Sequence, residues 1–150
     1  MLVPIILGSD SDREHGEKIG EWLKKFGIPY EMKVMSAHKV PELLLEYIGE
    51  KNKEEKVVYV TIAGRSNGLS GVTAANSIHP VIGCPPFKDK SDYLVNIHST
   101  IQMPSDTPVL TVLEPQNVAL AIARIFGLSN ATLRKEVEQR IKEVKRGFKK

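Results

Sequence analysis

The residues best suited to chemistry fall in a few short segments. Gly8-Ser9-Asp10-Ser11-Asp12 follows an apolar run and precedes a helical pattern. Glycine lets the backbone approach a ligand closely, and the free N–H groups at the start of a helix attract an anion. Ser11 offers a hydroxyl to a phosphate. Asp12 would repel a phosphate, but its carboxylate suits a sugar diol. Together these residues read as a site for a nucleotide monophosphate. Capping by Ser9, Asp10 or Ser11, with Asp12 favouring the helix dipole, accounts for the same residues without a ligand.

Ser36-Ala37-His38-Lys39 closes a strand-like stretch. Histidine exchanges a proton near neutral pH and the adjacent lysine can hold an anion, with an ordinary surface histidine as the alternative. Gly64-Arg65-Ser66-Asn67-Gly68-Leu69-Ser70-Gly71 is neither a P-loop nor a G-x-G-x-x-G motif. Its Arg65, Ser66 and Asn67 supply donors for a carboxylate or a developing negative charge, and it has no acidic residue to hold a metal. Cys84-Pro85-Pro86 reads as structural. A cysteine on a buried strand acts as a small hydrophobe, no base stands beside it in sequence, and a cis bond at either proline would shape a loop floor. His15, His79 and His98 are expected to be structural or solvent-exposed.

These segments need elements to position them. Residues 2–7 form an apolar run closed by Gly8, hence a buried strand. Ile19, Trp22, Leu23 and Phe26 mark one face of a helix that Gly27 ends. A second strand spans 30–35, and Pro41 opens a helix with Leu43, Leu44, Tyr47 and Ile48 inward. Strands at 57–62, 80–84 and 109–113 follow. They are separated by a small-residue helix ending near Ile78 and a short helix around 93–101. A last helix turns Val118, Ala121, Ile122, Ile125 and Phe126 inward. This alternation predicts one α/β domain over 1–128: a three-layer, doubly wound parallel sheet of flavodoxin-like or Rossmann-like type. Ligands bind beyond the carboxyl ends of the strands in such folds, where every candidate segment falls.

Residues 129–150 read as an added basic amphipathic helix. Asn130 caps it, and Leu133, Val137, Ile141, Val144 and Phe148 form a seam that packs on the same or a neighbouring subunit. The chain carries a net charge of +3, but residues 133–150 hold eight basic against three acidic side chains. No aromatics interleave with those cations except Phe148, which the seam uses, so a solvated face is expected and nucleic acid is not. The single cysteine excludes an intrachain disulfide and a multi-cysteine zinc site. No run is long and apolar enough to cross a membrane, and the N-terminus lacks a basic n-region, so a cytoplasmic location is expected.

Taken in order, the segments resemble the AIR carboxylase family, the small PurE-type enzymes of purine biosynthesis. The resemblance covers residues 3–128. It rests on Gly8-Ser-x-Ser-Asp12, Ser36-Ala-His-Lys39, Ala63-Gly-Arg-Ser-Asn-Gly-Leu-Ser-Gly71, Cys84-Pro-Pro86, Gln102-Met-Pro104 and Ile125-Phe-Gly-Leu128. One branch of the family moves a carboxylate from N5 to C4 of 5-aminoimidazole ribonucleotide (AIR). The other carboxylates AIR directly with carbon dioxide, giving 4-carboxy-AIR (CAIR). The mutase branch usually has a second histidine where this chain has Gly68. Gly68 and Lys39 resemble the direct carboxylase, whereas Gln102 resembles the mutase. The resemblance implies a homo-octamer with sites at subunit contacts.

On that resemblance His38 is the general acid/base that takes the C4 proton. Ser9, Ser66, Asn67 and backbone N–H groups near Gly64 would hold carbon dioxide and the nascent carboxylate. Asp12 would hold the ribose, and Ser11, Ser36 and Lys39 the phosphate, with Ala37, Arg65 and Gly71 completing the substrate contacts. No metal, biotin or ATP is required, so no cofactor is expected. A flavodoxin-like cofactor carrier would need aromatics flanking a flavin. A receiver-type signalling domain would need an aspartate ending the third strand and a lysine ending the fifth. This chain has Ala63-Gly64 and Glu114-Pro115 there.

Overall fold

Every residue of β1 (Val3–Leu7) is buried, as expected of a strand inside a sheet covered on both faces. In the computed structural model, which describes residues 1–148, β1 pairs with β2 (Tyr30–Val34) on one side and β3 (Tyr59–Ile62) on the other. β4 (Val81–Gly83) and β5 (Leu110–Thr111) extend the sheet, giving the order β2-β1-β3-β4-β5 with all pairs parallel. The doubly wound three-layer architecture expected from the sequence is the one observed.

The period of two in β1 divides the core. Val3, Ile5 and Leu7 face one layer with Ile19, Leu23, Val118, Ile122 and Phe126. Ile6 faces the other with Leu44, Ile48 and Leu69. The first layer holds α1 (Arg13–Lys25), α5 (Pro115–Gly127) and α6 (Ala131–Gly147), and the second holds α2 (Pro41–Lys51) and α3 (Gly68–Asn76). A further helix, α4 (Lys90–Ile101), runs between β4 and β5. Gly27 adopts φ +61°, the left-handed conformation that ends α1, while the Ile28 N–H returns to the Leu23 carbonyl.

Several expectations need correction. Leu43 is 55% exposed, because the inward stripe of α2 is Leu44 and Ile48, with Tyr47 packed against it at its edge. α3 begins inside the glycine-rich segment, since Asn67 caps it, accepting from the Ser70 N–H. α4 is a full 12-residue helix capped by Asp89. No peptide bond is cis among the described residues, so Pro85 and Pro86 are both trans.

Asn130 caps α6, its side-chain oxygen accepting from the Thr132 and Leu133 N–H groups. Leu133 and Val137 join the core, but Ile141, Val144 and Phe148 are exposed on this chain. The end of the basic tail, 149–150, lies outside the described residues. Among the described residues no helix is long and apolar enough to cross a membrane.

Candidate active site

The order 2-1-3-4-5 makes the chain leave β1 toward one side and β3 toward the other, opening a crevice at that switch point. A cleft of about 440 Å³ occupies it. The first loop contributes Ser9, Ser11 and Asp12, the second Ser36, Ala37 and His38, and the third Gly64, Arg65 and Ser66. Three distant segments therefore converge because parallel strands deliver their carboxyl ends to one edge.

The first loop caps a helical turn and also faces the cleft. Ser9 caps a short 3-10 turn (Asp10–Asp12): its hydroxyl oxygen accepts from the Ser11 N–H at 3.3 Å, and the Asp12 carboxylate accepts from the Ser9 N–H at 3.2 Å. The same side chains line the cleft, so the cap pre-sets their orientation. Asp10 instead pairs with Arg13 at 2.6 Å. Partial burial raises the Asp12 carboxyl above its ordinary 3.8, with the Ser9 N–H opposing.

His38 lies in a turn closed by the Lys39 and Val40 N–H groups on the Ser36 carbonyl. Its ring meets the first turn of α3, where a Cβ added to Gly68 would lie 2.9 Å from both Cε1 and Nε2. The neighbouring Ser66 holds φ 53°, an uncommon conformation for a non-glycine residue.

The structure does not bring Lys39, Asn67 or Gly71 into the lining of the cleft. Lys39 is exposed beside it. Asn67 is buried, its amide oxygen accepting from the Ser70 N–H and hydroxyl and its amide nitrogen donating to Thr100. Capping α3 occupies the Asn67 side-chain oxygen, and the Thr100 hydroxyl takes the amide N–H that sequence reading assigned to a carboxylate. Gly71 lies within α3 and faces the Met103 sulfur.

Sequence reading missed His15, Lys18 and Asn96, which also line the cleft. His15 follows Asp12 by three residues, one helical turn, which was the available signal. Its Nε2 lies 3.2 Å from the Cys84 sulfur, so the base that seemed absent beside Cys84 comes from α1. Burial pushes the Cys84 thiol up to about 12 and, with Lys18 nearby, holds His15 below its ordinary 6.5. The pair is therefore neutral thiol and neutral imidazole at pH 7, not a reactive thiolate. His79 is partly buried and His98 is exposed, as expected for residues outside the site.

Asn96 is almost wholly buried, and its side-chain oxygen has no hydrogen-bond partner among the described residues. Such an orphan acceptor costs about 1–3 kcal/mol relative to a satisfied one.

A family model described as AIR carboxylase matches residues 2–147. The chain is 48% identical over 139 residues to a phosphoribosylaminoimidazole carboxylase of Archaeoglobus fulgidus, covering 93% of this chain and 76% of that protein. It is 38% identical over 149 residues to an N5-carboxyaminoimidazole ribonucleotide mutase of Pyrococcus horikoshii, covering 97% and 83%. A crystal structure of Treponema denticola PurE superposes with a TM-score of 0.86 at 38% identity over 99% of each chain.

Proposed function

The chain belongs to the AIR carboxylase family, an enzyme family of purine biosynthesis, and on that premise we propose that it carboxylates AIR directly with carbon dioxide. The observation that carries this reading is the contact of the His38 ring with Gly68. Where the mutase branch has its second histidine, this chain has no side chain, and the ring of His38 occupies that space.

The substrate supplies its own electrons. The enamine carbon C4 attacks carbon dioxide, a C–C bond forms, and one C=O electron pair moves to oxygen to give a carboxylate. The adduct still carries the C4 proton. Neutral His38 takes it as aromaticity returns, and the imidazolium returns it to C4 in the reverse decarboxylation. Ser9, Arg65, Ser66 and backbone N–H groups near Gly64 steady the developing carboxylate. Asp12 holds the ribose hydroxyls, and Ser11 and Ser36 hold the phosphate. The flexible side chain of Lys39 reaches the phosphate from the rim.

The second reading, an N5-CAIR mutase, is favoured by Gln102, which ends α4 outside the cleft lining. Turnover of each nucleotide with and without carbon dioxide separates the two. We propose a cytoplasmic homo-octamer as the active form; exposed Leu94, Val95, Ile101 and Leu110 supply apolar surface for contacts between copies.

A further inference from the structure

We propose that Asn96 reads the exocyclic 5-amino group of the substrate, its side-chain oxygen accepting an N–H hydrogen bond and turning C4 of the ring toward His38. The inference rests on the direct or mutase reading only insofar as both use an aminoimidazole nucleotide.

Asn96 lines the cleft yet is only 3% exposed. Its Nδ2 donates to the Pro86 carbonyl at 2.6 Å, which fixes the orientation of the amide, because only the nitrogen can donate there. The other end of the amide, Oδ1, is buried and has no donor among the described residues. The amide lies against the bare face of Gly64, where an added Cβ would sit 3.3 Å from Nδ2 and 3.4 Å from Oδ1. The backbone of Asn96 is held as well, its carbonyl accepting from the Thr100 hydroxyl at 2.8 Å. The acceptor is thus oriented by its surroundings and left unpaired among the described residues.

A neutral acceptor in that position selects a neutral donor and disfavours an anion. Carbon dioxide has no donor, a phosphate at neutral pH presents acceptors, and the ribose hydroxyls have Asp12. The amine is the remaining donor of an aminoimidazole nucleotide. The placement also suits the ring. Asn96 touches the segment after β3 at Gly64 and His38 touches its far end at Gly68, the first residue of α3, so the two residues mark opposite ends of one wall. A ring lying along this wall with its C5 amine at Asn96 presents the adjacent C4 toward His38.

The test compares calorimetric binding of AIR with that of imidazole ribonucleotide, which lacks the amine, to the full chain. The wild-type protein should prefer AIR by about tenfold or more, the scale of one hydrogen bond to an otherwise unpaired buried acceptor. Asn96→Leu should reduce that preference to within about threefold by weakening AIR while sparing the analogue. Asn96→Ala serves as a second variant with the same expected collapse. Asn96→Asp, which loses the donor to Pro86 but keeps an acceptor, should retain the preference. The KM for AIR should rise in Asn96→Leu by more than kcat falls. Equal wild-type affinity for the two nucleotides, or equal weakening of both in the variants, would overturn the assignment and leave Asn96 a packing or water-binding residue. Wild-type protein that binds neither nucleotide would instead overturn the functional reading on which the assignment rests.

Discussion

The imidazole of His15, on the first turn of α1, and the thiol of Cys84, just beyond β4, meet at 3.2 Å beneath the cleft. The contact ties the helix that carries the first loop to the centre of the sheet. It also makes a pH-dependent element of the fold, because His15 is half-withdrawn from water and resists protonation.

The unfolded chain binds a proton at His15 near pH 6.5, whereas the native chain does so only at lower pH. Stability is therefore full above 6.5 and falls as pH drops below it, until the native histidine also titrates. His15→Asn should lose less melting temperature between about pH 7 and 5 than the wild type. Parallel melting curves for the two proteins across that range would show that His15 does not titrate abnormally.

His38→Asn keeps size and some hydrogen bonding but removes the proton acceptor. Substrate should still bind, while turnover drops by ~10² or more. Near-normal turnover would remove His38 from the proposed mechanism.

Gly68→Ala sets stability and activity against each other. Alanine favours the first turn of α3 by up to ~1 kcal/mol, so the melting temperature should hold or rise. The new Cβ would lie 2.9 Å from the His38 ring and must displace it, so kcat should fall by about tenfold. Unchanged kcat would show that the ring does not need this seat.

Ending the chain at Leu128 removes Leu133 and Val137 from the core and the exposed Ile141, Val144 and Phe148 from the surface. The melting temperature should fall, and light scattering should show a smaller or less stable particle. Phe148→Ser in the full chain isolates the second effect, because Phe148 is 87% exposed and contributes little to its own fold. A shortened chain with an unchanged number of subunits per particle and an unchanged melting temperature would show that the seam is idle.

Local pattern made most of the architecture legible. The buried run of β1, the stripe Ile19, Leu23 on α1 and the closing Gly27 each depend on neighbours in sequence, and each is found where expected. The parallel topology then placed His38 and the Ser9–Asp12 loop at one edge. What sequence could not show were contacts made across the fold. Asn67 looks like a free donor until α3 is seen to need its cap and α4 its amide. His15 looks incidental until β4 brings Cys84 beneath it. Asn96 is one polar residue on a helix, and only the carbonyl of Pro86 and the face of Gly64 reveal which way its oxygen is held. The misplaced Leu43 has a simpler origin: adjacent leucines on α2 leave the inward stripe ambiguous by one position.

The central claim is that the carbon dioxide joined to C4 comes from solution. The direct measurement follows CAIR formation from AIR and from N5-carboxy-AIR, each with and without bicarbonate, in the presence of a chelator. AIR with bicarbonate-derived carbon dioxide should give CAIR without ATP, biotin or added metal. The N5-carboxylated nucleotide should be used no faster than its spontaneous breakdown to AIR allows. Efficient turnover of the N5 compound in buffer depleted of carbon dioxide would contradict the account and place this chain among the mutases, with Gln102 the better guide than Gly68.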